Sequence, residues 1–363
     1  MKLKRILAAF AASAMLCSAA GCSTADTSAG GSADTAGRTN NGVPVSPGVL
    51  RGADGLDTGS GDQRSPEDTN RVYKIGIAKL MDHPALNLSE QGFAAALEDS
   101  GFVIGENLML EYRDGQGDEA NLNVIADEFI SANDDLIFAI ATPAAQVCAN
   151  KTNTIPIIAT AVTDFVDAGL VESNSRPGGN ISGTTDMSPI EEQLDLMLDV
   201  FRDIETIGFV YTASESNSAL QVGIARDYAE SLGLSTVTLT IDGAGDISGT
   251  FAEIIPQCDA IYLPTDNLLA SSMPAVAAVC NPAKMPVFCA ESGMVEMGGF
   301  GTLAIDYYDL GYQAGLMAVK VLNGSSIERM SIQKSTKFEY CFNGSTIEAL
   351  GVTLPVTYRD YIV

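Results

Sequence analysis

The chain has 363 residues, with 20 Lys and Arg against 46 Asp and Glu for a formal net charge of −26, and it carries one histidine and seven cysteines. Acidity on this scale is chiefly a matter of solubility, but it argues against a nucleic-acid partner. Phosphate binding needs clustered Lys and Arg, and no such cluster with interleaved aromatics is present. A lone histidine and cysteines without zinc-like spacing argue equally against a metal centre, and no cofactor is expected.

The first element is a leader. Lys2, Lys4 and Arg5 precede an apolar run from Ile6 to Leu16, then the small residues Ser18-Ala19-Ala20-Gly21 and Cys22. The run is too short for a permanent span and has the layout of a signal peptide over residues 1–21. Small side chains before Cys22 resemble the lipobox of bacterial lipoproteins, although Ala19 stands where Leu is usual, and ordinary cleavage after an Ala-x-Ala-like site is the competing reading. Cys17 is a poorer candidate because bulky Leu16 precedes it. A diacylated Cys22, palmitate being a typical acyl group, would supply the two chains that stable anchoring needs. Residues 22–71 then form a Ser-, Thr-, Gly-, Ala-, Asp- and Pro-rich stretch with too little apolar surface to offset its chain entropy, and it is expected to be a disordered tether.

From Val72 onward nearly 300 residues remain, more than one core comfortably serves. Strands are predicted at 74–80 (KIGIAKL), 107–112, 136–141 (LIFAIA) and 155–161 (IPIIATA), with helices at 89–100, 121–131 and 143–150 between them. After Gly183 the alternation restarts. Helices are predicted at 189–201, 216–232, 247–255 and 269–280, and strands at 206–211, 235–241, 260–263 and 285–289. A helix over 307–322 follows, with Leu310, Ala314, Met317, Ala318 and Val321 on one face. Alternation of this kind implies βαβ units and parallel sheets, and the near-continuous apolar strands imply sheets covered on both faces. Two sets mean two α/β lobes. Of the cysteines, Cys148, Cys258, Cys280, Cys289 and Cys341 remain after the leader and Cys22. One bridge among the second-lobe residues Cys258, Cys280 and Cys289 and fully buried free thiols are both open.

Several motifs now recur in order: KIGIAKLMDHPALN, IATPAAQ, IPIIATAVTDFVDAGLV, PGGNISGTTDMSP, IGFVYTASESNS, AIYLPTDN and IDYYDLGYQAG. Together they resemble, over residues 73–353, the bacterial ABC-transporter substrate-binding proteins of the tryptophan, tyrosine and phenylalanine type. The resemblance implies a type I periplasmic-binding fold: two Rossmann-like lobes with parallel sheets, joined by a three-strand hinge. It places residues 72–185 with 306–331 in the first lobe and 186–305 with 332–363 in the second. It also implies a ligand held between closing lobes, and an ABC permease with its ATPase as partners of a monomeric protein.

Ligands of open α/β sheets bind beyond the carboxyl ends of the strands, and those ends can be read directly. In the first lobe they carry His83, which is either a pocket wall and hydrogen-bond donor or part of a capping loop. Next come Thr142, Ala144 and Ala145 at a helix start suited to a carboxylate, with Thr142 alternatively only a cap. Thr160 and Asp164 follow on the rim, and Asp164 could instead cap the next turn. In the second lobe the ends carry Ser216, Asn217, Asp266, Asn267 and Glu291. Asp266 is the candidate for a ligand ammonium, with an N-cap as its rival role. Asp306 at the recrossing either lines the cleft or fixes the hinge. An anion site facing a carboxylate suits a zwitterion, and the resemblance implies an aromatic amino acid. No nucleophile, phosphate-binding loop or triad motif accompanies His83, so catalysis is not expected. The alternatives are a ligand-sensing lobe for a membrane signalling receptor, a sugar-binding protein and an amino-acid-acting enzyme.

Overall fold

The computed structural model describes residues 71–363, so the leader, Cys22 and nearly all of the proposed tether lie outside the described residues. In chain order, β1 (Tyr73–Lys79), α1 (Pro84–Asp99), β2 (Leu108–Asp114), α2 (Glu119–Ala132), β3 (Leu136–Ile140), α3 (Thr142–Lys151), β4 (Ile157–Val162) and β5 (Ile181–Thr185) build the first set. The second set is α4 (Ile190–Val200), β6 (Thr206–Thr212), α5 (Ser216–Ser231), β7 (Ser235–Ile241), α6 (Ile247–Ile254), β8 (Ala260–Leu263), α7 (Asn267–Cys280), β9 (Val287–Cys289), α8 (Ser292–Glu296) and β10 (Gly301–Ile305). The chain ends with α9 (Tyr307–Leu322), β11 (Gln333–Lys334), β12 (Phe338–Phe342) and α10 (Gly344–Leu350).

The strands form two six-stranded sheets, ordered β11-β5-β4-β3-β1-β2 and β12-β10-β9-β8-β6-β7. Both are parallel except at the antiparallel β10/β12 pair. β3 and β4 are buried along their whole length, as strands with helices on both faces must be. Each sheet has its own apolar core, Phe93 stacking on Phe138 in the first and Phe288, Phe300 and Phe342 clustering in the second. This is the two-lobed α/β architecture that the sequence implies.

The chain passes between the sheets three times, between β5 and α4, between β10 and α9, and between β11 and β12. The last passage falls later than the boundary at 331/332 read from the sequence. Gln333 and Lys334 pair with Thr184 and Thr185, so the first sheet keeps the chain up to Lys334. Helix α1 also starts five residues before its predicted Ser89, because Pro84 takes the first turn, where its missing N–H is no loss. All five described cysteines are free, so the possible second-lobe bridge is not formed.

Helices α1 and α9 cross unusually closely on the first lobe. A Cβ on Gly311 would stand 2.0 Å from the Ser89 carbonyl oxygen, and one on Gly92 2.0 Å from that of Tyr308. Gly223 on α5 has nothing within 4 Å of the same position. Gly311→Ala is therefore expected to lower stability by about 1–3 kcal/mol through overpacking. Gly223→Ala should raise it by about 0.5–1 kcal/mol, since alanine only reduces the freedom of the unfolded helix segment. Chemical denaturation of the two variants checks both signs.

Candidate ligand-binding cleft

Strand ends of both lobes, together with two of the passages between them, surround a small cavity of ≈ 10 Å³. The first lobe contributes His83 and Leu86 from the start of α1, and Ala161 and Thr163 from the end of β4. The second contributes Asn217, Thr265, Asn267 and Glu291, while Asp186 and Tyr307 come from the first two passages. A register shift in the β4/β5 pairing brackets Ala161, whose φ is 54°. Such a bulge re-aims side chains at a strand end, here bringing Ala161 and Thr163 to the cavity wall.

The lobes touch across this space. His83 Nε2 lies 3.3 Å from Asn267 Oδ1, Gln221 Nε2 donates to Thr163 Oγ1 at 3.1 Å, and Gly293 approaches so closely that a Cβ there would stand 3.2 Å from Pro84 Cβ. Behind the contact, Asn267 donates its amide to Glu215 Oε2 at 2.7 Å, which leaves Asn267 Oδ1 as the acceptor facing the histidine. His83 must therefore donate from Nε2, and its Nδ1 carries the lone pair.

Five buried atoms lining the cavity have no hydrogen-bond partner: His83 Nδ1, Asp186 Oδ1, Asn217 Oδ1 and both oxygens of Glu291. Asn217 directs its Nδ2 to the Thr265 carbonyl at 2.9 Å, so its free atom is the oxygen. With Glu291 ionised, every one of the five is thus an acceptor. Folded proteins rarely bury such atoms unpaired, and a compact, multiply donating group would satisfy them.

The electrostatics point the same way. Burial, reinforced by Asp186 and Glu296, pushes the Glu291 carboxyl up to about 8. Burial raises Asp186 to about 6, against the pull of a hydrogen bond from the Tyr307 hydroxyl at 2.8 Å. Glu215 rises to about 7 through burial and repulsion from Asp266. Burial lowers His83 to about 4, so it is neutral and gives its neighbours no charge relief. Among the described residues no group of three or more His, Cys, Asp or Glu is arranged to hold a metal ion.

The residues singled out from the sequence divide into those facing the cavity and those holding the frame. His83, Asn217, Asn267 and Glu291 line it. Asp266 does not take the ammonium-binding place expected of it. Its Oδ1 accepts from Leu269 N at 2.9 Å and Thr212 Oγ1 at 2.8 Å, and its Oδ2 from Thr212 N at 2.6 Å, so it caps α7 and ties it to β6. Asp164 and Asp306 likewise turn inward on their own backbone, Asp164 accepting from Val166 N and Asp167 N, Asp306 from Tyr308 N and Asp309 N. Thr160 is buried in the sheet and bonded to Thr184 at 2.8 Å.

Thr142, Ala144 and Ala145 form the first turn of α3, which has no side-chain cap, and Thr142 Oγ1 accepts from Thr163 N at 3.4 Å. Helix α5, beginning at Ser216, is uncapped too. Pro143 and Ser216 line a common outer groove of ≈ 330 Å³, so the positive ends of two helices, one from each lobe, border the same space. Asp186 and Tyr307 were not among the candidate residues. Both follow a short strand at a passage between lobes, and neither strand was predicted from the sequence.

A family model described as ABC transporter substrate binding protein matches residues 74–358. The chain belongs to that family. It is 39% identical over 289 residues to a tyrosine-binding protein of Clostridioides difficile (strain R20291), covering 80% of this chain and 84% of the relative. An ABC domain from Streptococcus pneumonia solved in complex with L-Trp is 31% identical, with a TM-score of 0.78 over 80% of this chain and all (100%) of that one. A ligand-free, open substrate-binding protein with adhesive properties from Clostridium difficile is more similar in sequence, at 41%, yet superposes less well. Its TM-score is 0.65 over 80% of this chain and 99% of that one. Among the described residues no helix is long and apolar enough to cross a membrane.

Two outcomes are expected. Asp266→Ala should destabilise the ligand-free protein by about 1–3 kcal/mol, the loss of a buried cap and two further hydrogen bonds, as read by denaturant unfolding. For Glu291, the carboxyl is protonated in both states below 4.5, and between there and about 8 only the unfolded chain ionises. Its contribution therefore declines as pH rises through that window. The stability of Glu291→Gln relative to wild type should accordingly improve between pH 5 and pH 8, measured by unfolding at both.

Proposed function

We propose that this chain is the extracytoplasmic binding component of an ABC importer, and that it closes on a zwitterionic amino acid whose ammonium enters the acceptor-only cavity. The observation that carries the reading is the set of unpartnered acceptors on Asp186, Asn217, His83 and Glu291. An ammonium has three N–H donors and one positive charge, which suits that set better than a sugar hydroxyl array needing donors and acceptors in equal measure. The uncapped starts of α3 and α5 are the places for the ligand carboxylate. An aromatic side chain is favoured because the relatives described above include a tyrosine-binding protein and a complex with L-Trp.

Closure would follow from contacts made with both lobes at once, since a ligand shifts an equilibrium only by its differential affinity for the two forms. Delivery to a permease, export by residues 1–21 and anchoring through Cys22 complete the proposal, with lobes comprising 72–185 and the segment from 306 to β11, against 186–305 and the remainder. Catalysis has no place in it. The orphaned groups are acceptors, with no nucleophile aligned on a base.

L-Tyrosine, L-tryptophan and L-phenylalanine should raise the melting temperature in a screen of amino acids, as any ligand of the native state does. Analogues lacking the amine should fail, and Asp186→Asn should weaken binding by about tenfold or more, the scale of one charge-assisted hydrogen bond. A response to sugars alone would overturn the assignment. Mass spectrometry of the mature protein from its native membrane should find a diacylated residue at Cys22, and an unmodified thiol there would remove the anchor.

A further inference from the structure

The cavity presents two carboxylates to a ligand group that brings a single positive charge. Asp186 is stabilised by the Tyr307 hydroxyl, whereas Glu291 is 1% exposed and neither of its oxygens receives a hydrogen bond. We infer, resting on the amino-acid reading above, that Glu291 holds a proton before capture and that the incoming ammonium displaces it, so that binding exchanges one cation for another and releases a proton to solvent.

The groups around Glu291 leave little else to balance a second charge. From the start of α1, His83 Nδ1 stands 4.0 Å from Glu291 Oε1, but Asn267 fixes the proton on the far nitrogen. From the first passage comes Asp186, and from the start of α9 comes Tyr307, whose hydroxyl is already donated. From α8 and β9, Glu296 and the buried thiol of Cys289 add only negative or neutral groups. Beyond Asn267 lie Glu215 and Asp266, two more carboxyls engaged with the backbone. Lys79, at the end of β1, is taken up by Asp82 and Glu90.

An ionised Glu291 in these surroundings would be a buried anion without donor or counter-ion, which is costly enough that such a group takes up a proton instead. The raised affinity of this carboxyl for protons, about 8, agrees. When the ammonium arrives it supplies both charge and donors. The carboxyl O–H bond breaks, the proton passes to water, and the carboxylate accepts from the ligand N–H. The ligand keeps its charge, the protein loses one proton, and the cavity gains an ion pair.

Titration calorimetry of the wild-type protein with L-tyrosine and L-tryptophan at pH 7, in phosphate and in Tris, tests this, because released protons add each buffer's own ionisation heat. The expected result is a release approaching one proton per ligand. Affinity should rise by up to about tenfold per pH unit between pH 6 and 8 and turn over once the ligand amine loses its proton. Glu291→Gln should bind more weakly but with no buffer dependence and a flat affinity over that window. Binding with equal heats in both buffers and no pH dependence would overturn the exchange while leaving the amino-acid reading intact, with Glu291 then keeping the same protonation state before and after capture. Absence of binding by these and the other amino acids would overturn both.

Discussion

The burial of carboxylates where no cation meets them governs the cleft. Glu291 and Asp186 lie in a space enclosed by two lobes in contact, with a neutral imidazole as the facing base. Each lobe has its own sheet and its own apolar core, so the frame does not depend on these groups being satisfied. Their unfavourable environment is instead tied to closure, because bringing the lobes together removes water from the acceptors. On the proposed function, a ligand that supplies donors and positive charge would relieve that penalty only in the closed form, which is the condition for driving closure.

Acidic residues in this chain divide by what their oxygens touch. Asp266, Glu215, Asp164 and Asp306 face backbone N–H groups at helix starts and turns, and they hold the strand ends in register. Asp186 Oδ1 and both oxygens of Glu291 are left without a partner, and the two residues line the cavity. The difference is geometric. An aspartate just before a helix reaches back to the N–H two or three residues on, whereas the longer Glu291 precedes α8 without any such bond.

Asp186 and Tyr307 also connect the site to the hinge. They sit on the first two passages between the sheets and are joined by a 2.8 Å hydrogen bond. A cation drawn to Asp186, as proposed, would therefore act directly on the segments that join the two sheets. His83 and Asn267, from opposite lobes, close the far side of the same cavity.

Short apolar runs alternating with helix-period segments determined the two sets of βαβ units, because strands covered on both faces are apolar throughout and a helix on a sheet buries one face at 3.6-residue spacing. The strands β6 to β8 and helix α9 follow that pattern within a residue or so of their predicted bounds, and the positions of His83, Asn217, Asn267 and Glu291 at strand ends were readable too. Segments such as β5, β10 and β12 were not, since Gly, Ser, Thr or Glu interrupts the apolar run in each and they owe their pairing to neighbours far along the chain. The roles of the acids were hidden for the same reason. Asp266 and Glu291 each follow an apolar strand by a few residues and look alike in sequence. Only the tertiary structure decides that Thr212 and Leu269 saturate the first while the second is left facing a lone pair of His83 and another carboxylate. Partners of a side chain come from segments remote in sequence, and they decide whether an acid holds the fold or meets a ligand.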